Sequence, residues 1–158
     1  MRKPKTAFDL DSTIAFVVGR TCHFMRKAFQ KTFGEAGHSV TPEEWVLLNR
    51  LWAQDGQRHA ELTASTVRDR TTVTRLLDSM VDKGLVRRET DPEDRRGVLT
   101  FLTPAGAALK DELIPVAQGL LASATEGISD KDLARCRDTL VKFQANLLEI
   151  TEEGERWT

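Results

Sequence analysis

The chain has 158 residues, of which 40% are hydrophobic and 30% charged, with a net charge of −1. That composition fits one ordinary globular domain, or two small ones sharing a core; it implies no framework built on disulfides and gives no support for strong nonspecific nucleic-acid binding. The charge is uneven: residues 1–55 carry 8 basic and 6 acidic groups, residues 56–103 carry 9 and 8, and residues 104–158 carry 6 and 10.

Residues 1–8 read as a loose basic arm. From Asp9 to about Phe33, the residues Ile14, Val17, Val18, Cys22, Met25 and Phe29 recur with helical period. No apolar segment precedes Asp9 and Asp11, so no signal peptide is expected. Thr41-Pro42-Glu43-Glu44 is a strong helix start, with Thr at the N-cap, Pro at the first position and Glu at the third. That second helix carries Trp45, Leu48, Leu51 and Trp52 and stops near Asp55-Gly56. A short third helix is predicted over about 58–66, with Leu62 in the core.

The stretch 70–103 organises the chain. Val73, Leu76, Leu77, Met80 and Val81 form one apolar helical stripe, opposite Thr71, Thr74, Arg75, Asp78 and Asp82. Asp69 caps this fourth helix and Gly84 ends it. Two β-rich runs, 85–89 and 98–103, flank Asp-Pro-Glu-Asp-Arg-Arg-Gly and predict a hairpin. A helix followed by a basic-tipped hairpin suggests a winged helix-turn-helix. Thr103-Pro104 begins a fifth helix, where Pro115 predicts a kink. Ser129 with Asp132 begins a sixth, carrying Leu133, Leu140, Phe143, Leu147 and Ile150. The fold class is therefore mostly α with a small β-hairpin wing. The apolar stripes of the end helices exceed what the central core needs, which predicts a homodimer. No apolar run reaches the ~18 residues of a membrane span, so a cytoplasmic location is expected.

The run V-T-R-L-L-D-S-M-V-D-K-G-L-V-R-R-E-T-D-P-E-D-R-R, with Leu102-Thr103 after it, resembles the MarR family of bacterial transcription regulators over roughly residues 10–150. The resemblance implies a homodimer built from the terminal helices (1–40 and 104–158), a DNA-binding domain over 41–103, double-stranded DNA as partner, and a small-molecule ligand cleft between the two. A repressor that reads pseudo-palindromic DNA is the expectation. One departure is Thr66-Val67-Arg68, where the family more often has an apolar-Gly-apolar turn.

Candidate DNA contacts are Arg68, Arg70, Thr71, Thr72, Thr74 and Arg75 at the recognition helix. Arginine pairs bidentately with guanine, and threonine touches thymine methyls or phosphates. Arg95 and Arg96 at the wing tip suit a minor groove or a phosphate, and Asp94 is expected to orient Arg96. Arg87 and Arg88 alternate along a strand, so at most one faces DNA. Arg20, His23 and Trp52 are candidates for the effector cleft, where a cation with aromatic walls suits a small aromatic carboxylate. Trp45 reads as core. Cys22 on the apolar stripe reads as a buried structural cysteine, and Cys136 likewise, against the alternative of a redox switch at Cys22. No metal-ligand spacing, nucleophile–base pair or glycine-rich phosphate loop is present, so neither an enzyme nor a cofactor is expected. A winged helix that binds another protein is the remaining alternative, kept open by Asp78 and Asp82.

Overall fold

The computed structural model describes residues 8–66, 69–94 and 97–150. Six helices and three short strands follow in the order α1 (Ile14–Glu35), α2 (Pro42–Ala53), β1 (Gln57–Arg58), α3 (His59–Thr66), α4 (Arg70–Asp82), β2 (Val86–Thr90), β3 (Val98–Leu102), α5 (Pro104–Ala124) and α6 (Asp130–Ile150). Helix α1 begins later than its periodicity suggests. Thr13 is the cap, its hydroxyl accepting from Phe16 N at 3.3 Å. At α2 the full capping box is formed. Thr41 N donates to Glu44 Oε2 at 2.8 Å, and Glu44 N to Thr41 Oγ1 at 3.2 Å. Pro115 lies inside α5, which runs on as one helix to Ala124.

Strands β2 and β3 form the expected hairpin, with Val86 opposite Leu102 and Thr90 opposite Val98. The sheet also has a third strand that the hairpin reading lacks. Gln57 and Arg58 pair antiparallel with Thr100 and Leu99, giving the order β1-β3-β2. Two residues carry no period of their own, so this pairing is set by where α2 and α3 place them against β3.

The core lies between the C-terminal half of α1, the three helices α2–α4 and the middle of α5. Phe33, Leu47, Leu48, Leu62, Val73, Leu77, Met80 and Leu113 are fully buried in it. Each large apolar side chain buried this way contributes about 1.5–3 kcal/mol. Phe33, Trp45 and Trp52 stack edge to tilted at 5.3 and 5.4 Å between ring centres. A second brace is ionic. The Glu44 carboxylate, almost wholly buried, accepts from Lys83 Nζ at 2.7 and 2.8 Å and from Ser79 Oγ at 2.7 Å. This ties the start of α2 to the end of α4. Burial pushes the Glu44 carboxyl up, but the donors Lys83, Thr41 N–H and Ser79 outweigh it and hold its pKa below the usual carboxylate value.

The two ends of the chain are different. Helix α6 buries none of its residues against the rest of the chain. Val141, Leu147 and Ile150 stay 44–76% exposed, as do Ile14, Val17, Phe24 and Met25 of α1 at 47–58%. Among the described residues, no helix is long and apolar enough to cross a membrane.

Candidate nucleic-acid interface

Helix α4 presents its N-terminal half outward. Arg70, Thr71 and Arg75 are exposed, whereas Val73 and Leu77 anchor the opposite face in the core. Asp69 fixes the start of the helix. Its carboxylate accepts from the Thr72 hydroxyl at 2.6 Å and from Thr72 N at 2.8 Å, and these bonds hold its pKa low. The Thr72 hydroxyl is thus committed to the cap. Arg68, Arg95 and Arg96 lie outside the described residues.

Between α4 and the wing runs a groove of about 370 Å³, lined by Arg58, His59, Arg70, Thr74 and Arg88 on its cationic side and by Asp94, Gly97 and Val98 on the wing side. Arg88 points into it from β2 and pairs with Asp78 of α4 at 2.7 Å. Arg87 lies on the other face of the strand, paired with Glu89 and stacked 4.9 Å over the Phe101 ring. The alternation along β2 therefore sends one arginine to the groove and one away.

The wing turn is organised by Asp91, a residue that the sequence pattern alone does not single out. Asp91 is 3% exposed. Its carboxylate accepts from Arg58 Nε and Nη2 at 2.7 and 2.5 Å and from Glu93 N at 2.8 Å. Its own N–H donates to Gly97 O at 3.0 Å. The Glu93 N–H bond first, and then Arg58, hold its pKa below the usual carboxylate value against the cost of burial. Asp94 is exposed and contributes its carbonyl, which accepts from Gly97 N at 2.7 Å. The expected orientation of Arg96 by Asp94 lies outside the described residues. The signal for Asp91 was an arginine 33 positions upstream, visible only once β1 is paired.

A family model described as MarR family matches residues 40–98, the stretch from α2 through the wing. The HTH-type transcriptional repressor NicR of Pseudomonas putida is 32% identical over 114 residues, which are 69% of this chain and 72% of that protein. The chain belongs to the MarR family. It is a winged helix-turn-helix transcriptional regulator, not an enzyme. The HTH-type transcriptional regulator TtmR of Methylorubrum extorquens is 33% identical over 104 residues, and the match spans 66% of this chain but only 52% of that longer protein. Among solved structures, Bordetella bronchiseptica BpsR is 25% identical with a TM-score of 0.80, covering 87% of this chain and 96% of that one.

In this MarR-family chain the three candidate effector residues do not come together. Arg20 and His23 line a cavity of about 310 Å³ on α1 with Phe16 and Phe24. The Arg20 guanidinium sits 5.7 Å from the Phe16 ring centre and 6.0 Å from that of Phe24. His23 also borders a second cavity with Arg26, Lys27, Lys31 and the start of α2. Trp52 lines neither. Its indole N–H donates to Gly106 O at 2.9 Å, locking α2 to α5. An indole at the end of α2 lies where α5 begins, so its N–H is satisfied there.

Both cysteines depart from the expected burial, since Cys22 and Cys136 are exposed on the single chain. The periodic stripe of α1 holds, but only its last turns, at Phe29 and Phe33, reach the core. The stripe around Cys22 has no cover among the described residues. Among the described residues, no group of three or more His, Cys, Asp or Glu could hold a metal ion.

Proposed function

We propose that this regulator is a homodimeric repressor that reads a two-fold operator through α4 and the wing and releases it on binding a small organic acid. The carrying observation is the groove between α4 and the wing. There Arg58, Arg70 and Arg88 gather beside an exposed helix face in a chain whose net charge is −1. Phosphate contacts by such cations position the protein, and side chains at the start of α4 reach base edges. Arg70, Thr71 and Arg75 are the foremost base-reading candidates, and Arg68, Arg95 and Arg96 complete the set by sequence. The unpartnered apolar faces of α1 and α6 support a dimer built from residues 1–40 and 104–158, carrying the DNA lobe 41–103.

The effector reading rests on Arg20 and His23 between two phenyl rings. A guanidinium beside aromatic walls suits a planar carboxylate. In support, the solved BpsR work concerns regulation of its DNA binding by 6-hydroxynicotinic acid, an aromatic acid of this kind. A cytoplasmic site of action accords with a DNA partner.

The test is selection from random duplexes, followed by titration. The expected result is an enriched two-fold sequence with half-sites about one helical turn apart and affinity that falls steeply with salt. A panel of small aromatic acids should then include one that releases the duplex from the parent but not from Arg20→Ala. Failure to enrich any sequence would overturn the DNA reading. Release that is unaffected by Arg20→Ala would overturn the effector site.

A further inference from the structure

The hydroxyl of Thr74 is already occupied. Thr74 is half-buried on the groove side of α4. Its hydroxyl donates to the carbonyl of Arg70, one turn back, at 2.9 Å. The same oxygen lies 3.0 Å from His59 Nε2. A hydroxyl has a single proton, and here Arg70 O takes it. The second bond therefore runs the other way, with Nε2–H of His59 donating to Thr74 Oγ1. On the far side of the ring, Nδ1 lies 3.2 Å from the Thr63 hydroxyl. The imidazole is thus held between one threonine of α3 and one of α4. Burial, and then the neighbouring cations Arg70 and Arg88, disfavour a second ring proton. The neutral ring is the resting form, and the Thr63 hydroxyl, which also donates to His59 O at 2.8 Å, makes its weaker contact with Nδ1.

Threonine is stiff about χ1, so fixing its oxygen fixes its methyl. Those two groups are all that Thr74 carries beyond Cβ. With the oxygen turned to its own helix and to His59, the methyl is the group left for a ligand. Thr71 and Arg75 differ, because neither makes a side-chain hydrogen bond or ion pair with another described residue. The face of α4 is divided between side chains free to hydrogen-bond and one whose hydroxyl proton is committed and whose methyl is its main remaining contact.

We propose that Thr74 reads thymine through its methyl group, and that His59 is the positioning residue that withholds the Thr74 hydroxyl from the bases. The proposal rests on the reading of α4 as the major-groove helix. In the major groove the C5 methyl marks thymine, and a threonine methyl is a matching apolar partner.

Replacing thymines one at a time by uracil in the selected duplex removes only that methyl. One position per half-site should then weaken binding by the parent about fourfold, the worth of one buried methyl group. Thr74→Val keeps the methyl, lacks the hydroxyl and should retain the penalty. Thr74→Ser keeps the hydroxyl, lacks the methyl and should lose it. His59→Ala should reduce the penalty while leaving the salt dependence of binding unchanged, which a merely weakened fold would not do. A penalty that persists in Thr74→Ser overturns the proposal, and this comparison decides even if the valine or alanine variant fails to fold by circular dichroism. A parent indifferent to every uracil overturns the methyl reading and leaves the DNA interface standing. A parent that binds no duplex overturns both.

Discussion

Gly106→Ala should loosen the joint between the DNA lobe and α5. Gly106 lies in the first turn of α5, against the turn that follows α4. Thr103 N donates to Leu85 O at 3.0 Å and the Thr103 hydroxyl to Gly84 O at 2.6 Å, drawing α5 onto that turn. A Cβ at position 106 would stand 2.0 Å from Leu85 O and 2.9 Å from Leu85 C, about 1 Å inside the 3.0 Å that such contacts keep. The obstacle is backbone and cannot swing aside. Overpacking costs about 1–3 kcal/mol, sometimes more. Moving α5 away also stretches the Trp52 bond to Gly106 O, and leaving that indole unsatisfied costs about 1–3 kcal/mol. Alanine returns at most about 1 kcal/mol of helix propensity. The net destabilisation is on the order of 2–4 kcal/mol, read as a lower urea midpoint, with weaker operator binding. Gly34→Ala is the control, since a Cβ there meets nothing within 4 Å. It should be neutral or stabilising by up to about 1 kcal/mol. An unchanged midpoint for Gly106→Ala would refute the joint as described.

Asp91→Asn should weaken binding to all duplexes alike, measured by fluorescence anisotropy, because it frees Arg58 and the wing turn without touching a base reader. Arg75→Ala should cost about 1–3 kcal/mol and relax preference at one base position per half-site; equal weakening on every sequence in a selection experiment would mean a phosphate contact instead. Leu140→Asp should give monomers by light scattering, since an unpaired carboxylate in an apolar interface costs several kcal/mol; dimers like the parent's would place Leu140 outside the interface. The Glu44 carboxyl has its folded pKa below the usual 4.5. As the pH drops, the unfolded chain therefore takes up this proton first. The stability Glu44 contributes is fully present above that value and is lost as pH falls through the lowered one. Urea midpoints should be flat near neutrality for this group and decline in acid, with a shallower decline in Glu44→Gln. Equal slopes in both proteins would show that Lys83 and Ser79 do not favour the charged form.

The helices were legible in the sequence because their signals are local. Thr41 with Glu44 closes a capping box within four residues, Asp69 caps α4, and the stripe Val73, Leu77 and Met80 marks a buried face wherever the helix packs. The hairpin was legible for the same reason, its turn formers lying between two β-rich runs. Surplus apolar surface on α1 and α6 could also be counted without coordinates. What needed the tertiary structure are the pairings across long sequence separations. Strand β1 exists only because β3 lies beside it. Asp91 supports the wing only because that pairing brings Arg58 to it. That the Trp52 indole N–H is taken by Gly106 O is seen only once α5 lies beside α2. Cys22 looked buried because a periodic stripe shows which face is apolar and not what covers it. For Thr74 the sequence left methyl and phosphate contacts equally open, and only the fold shows its oxygen engaged by His59 and the helix's own carbonyl. In each case the residue type fixes what a side chain can do, and only the neighbours brought by folding decide which of its bonds are already made.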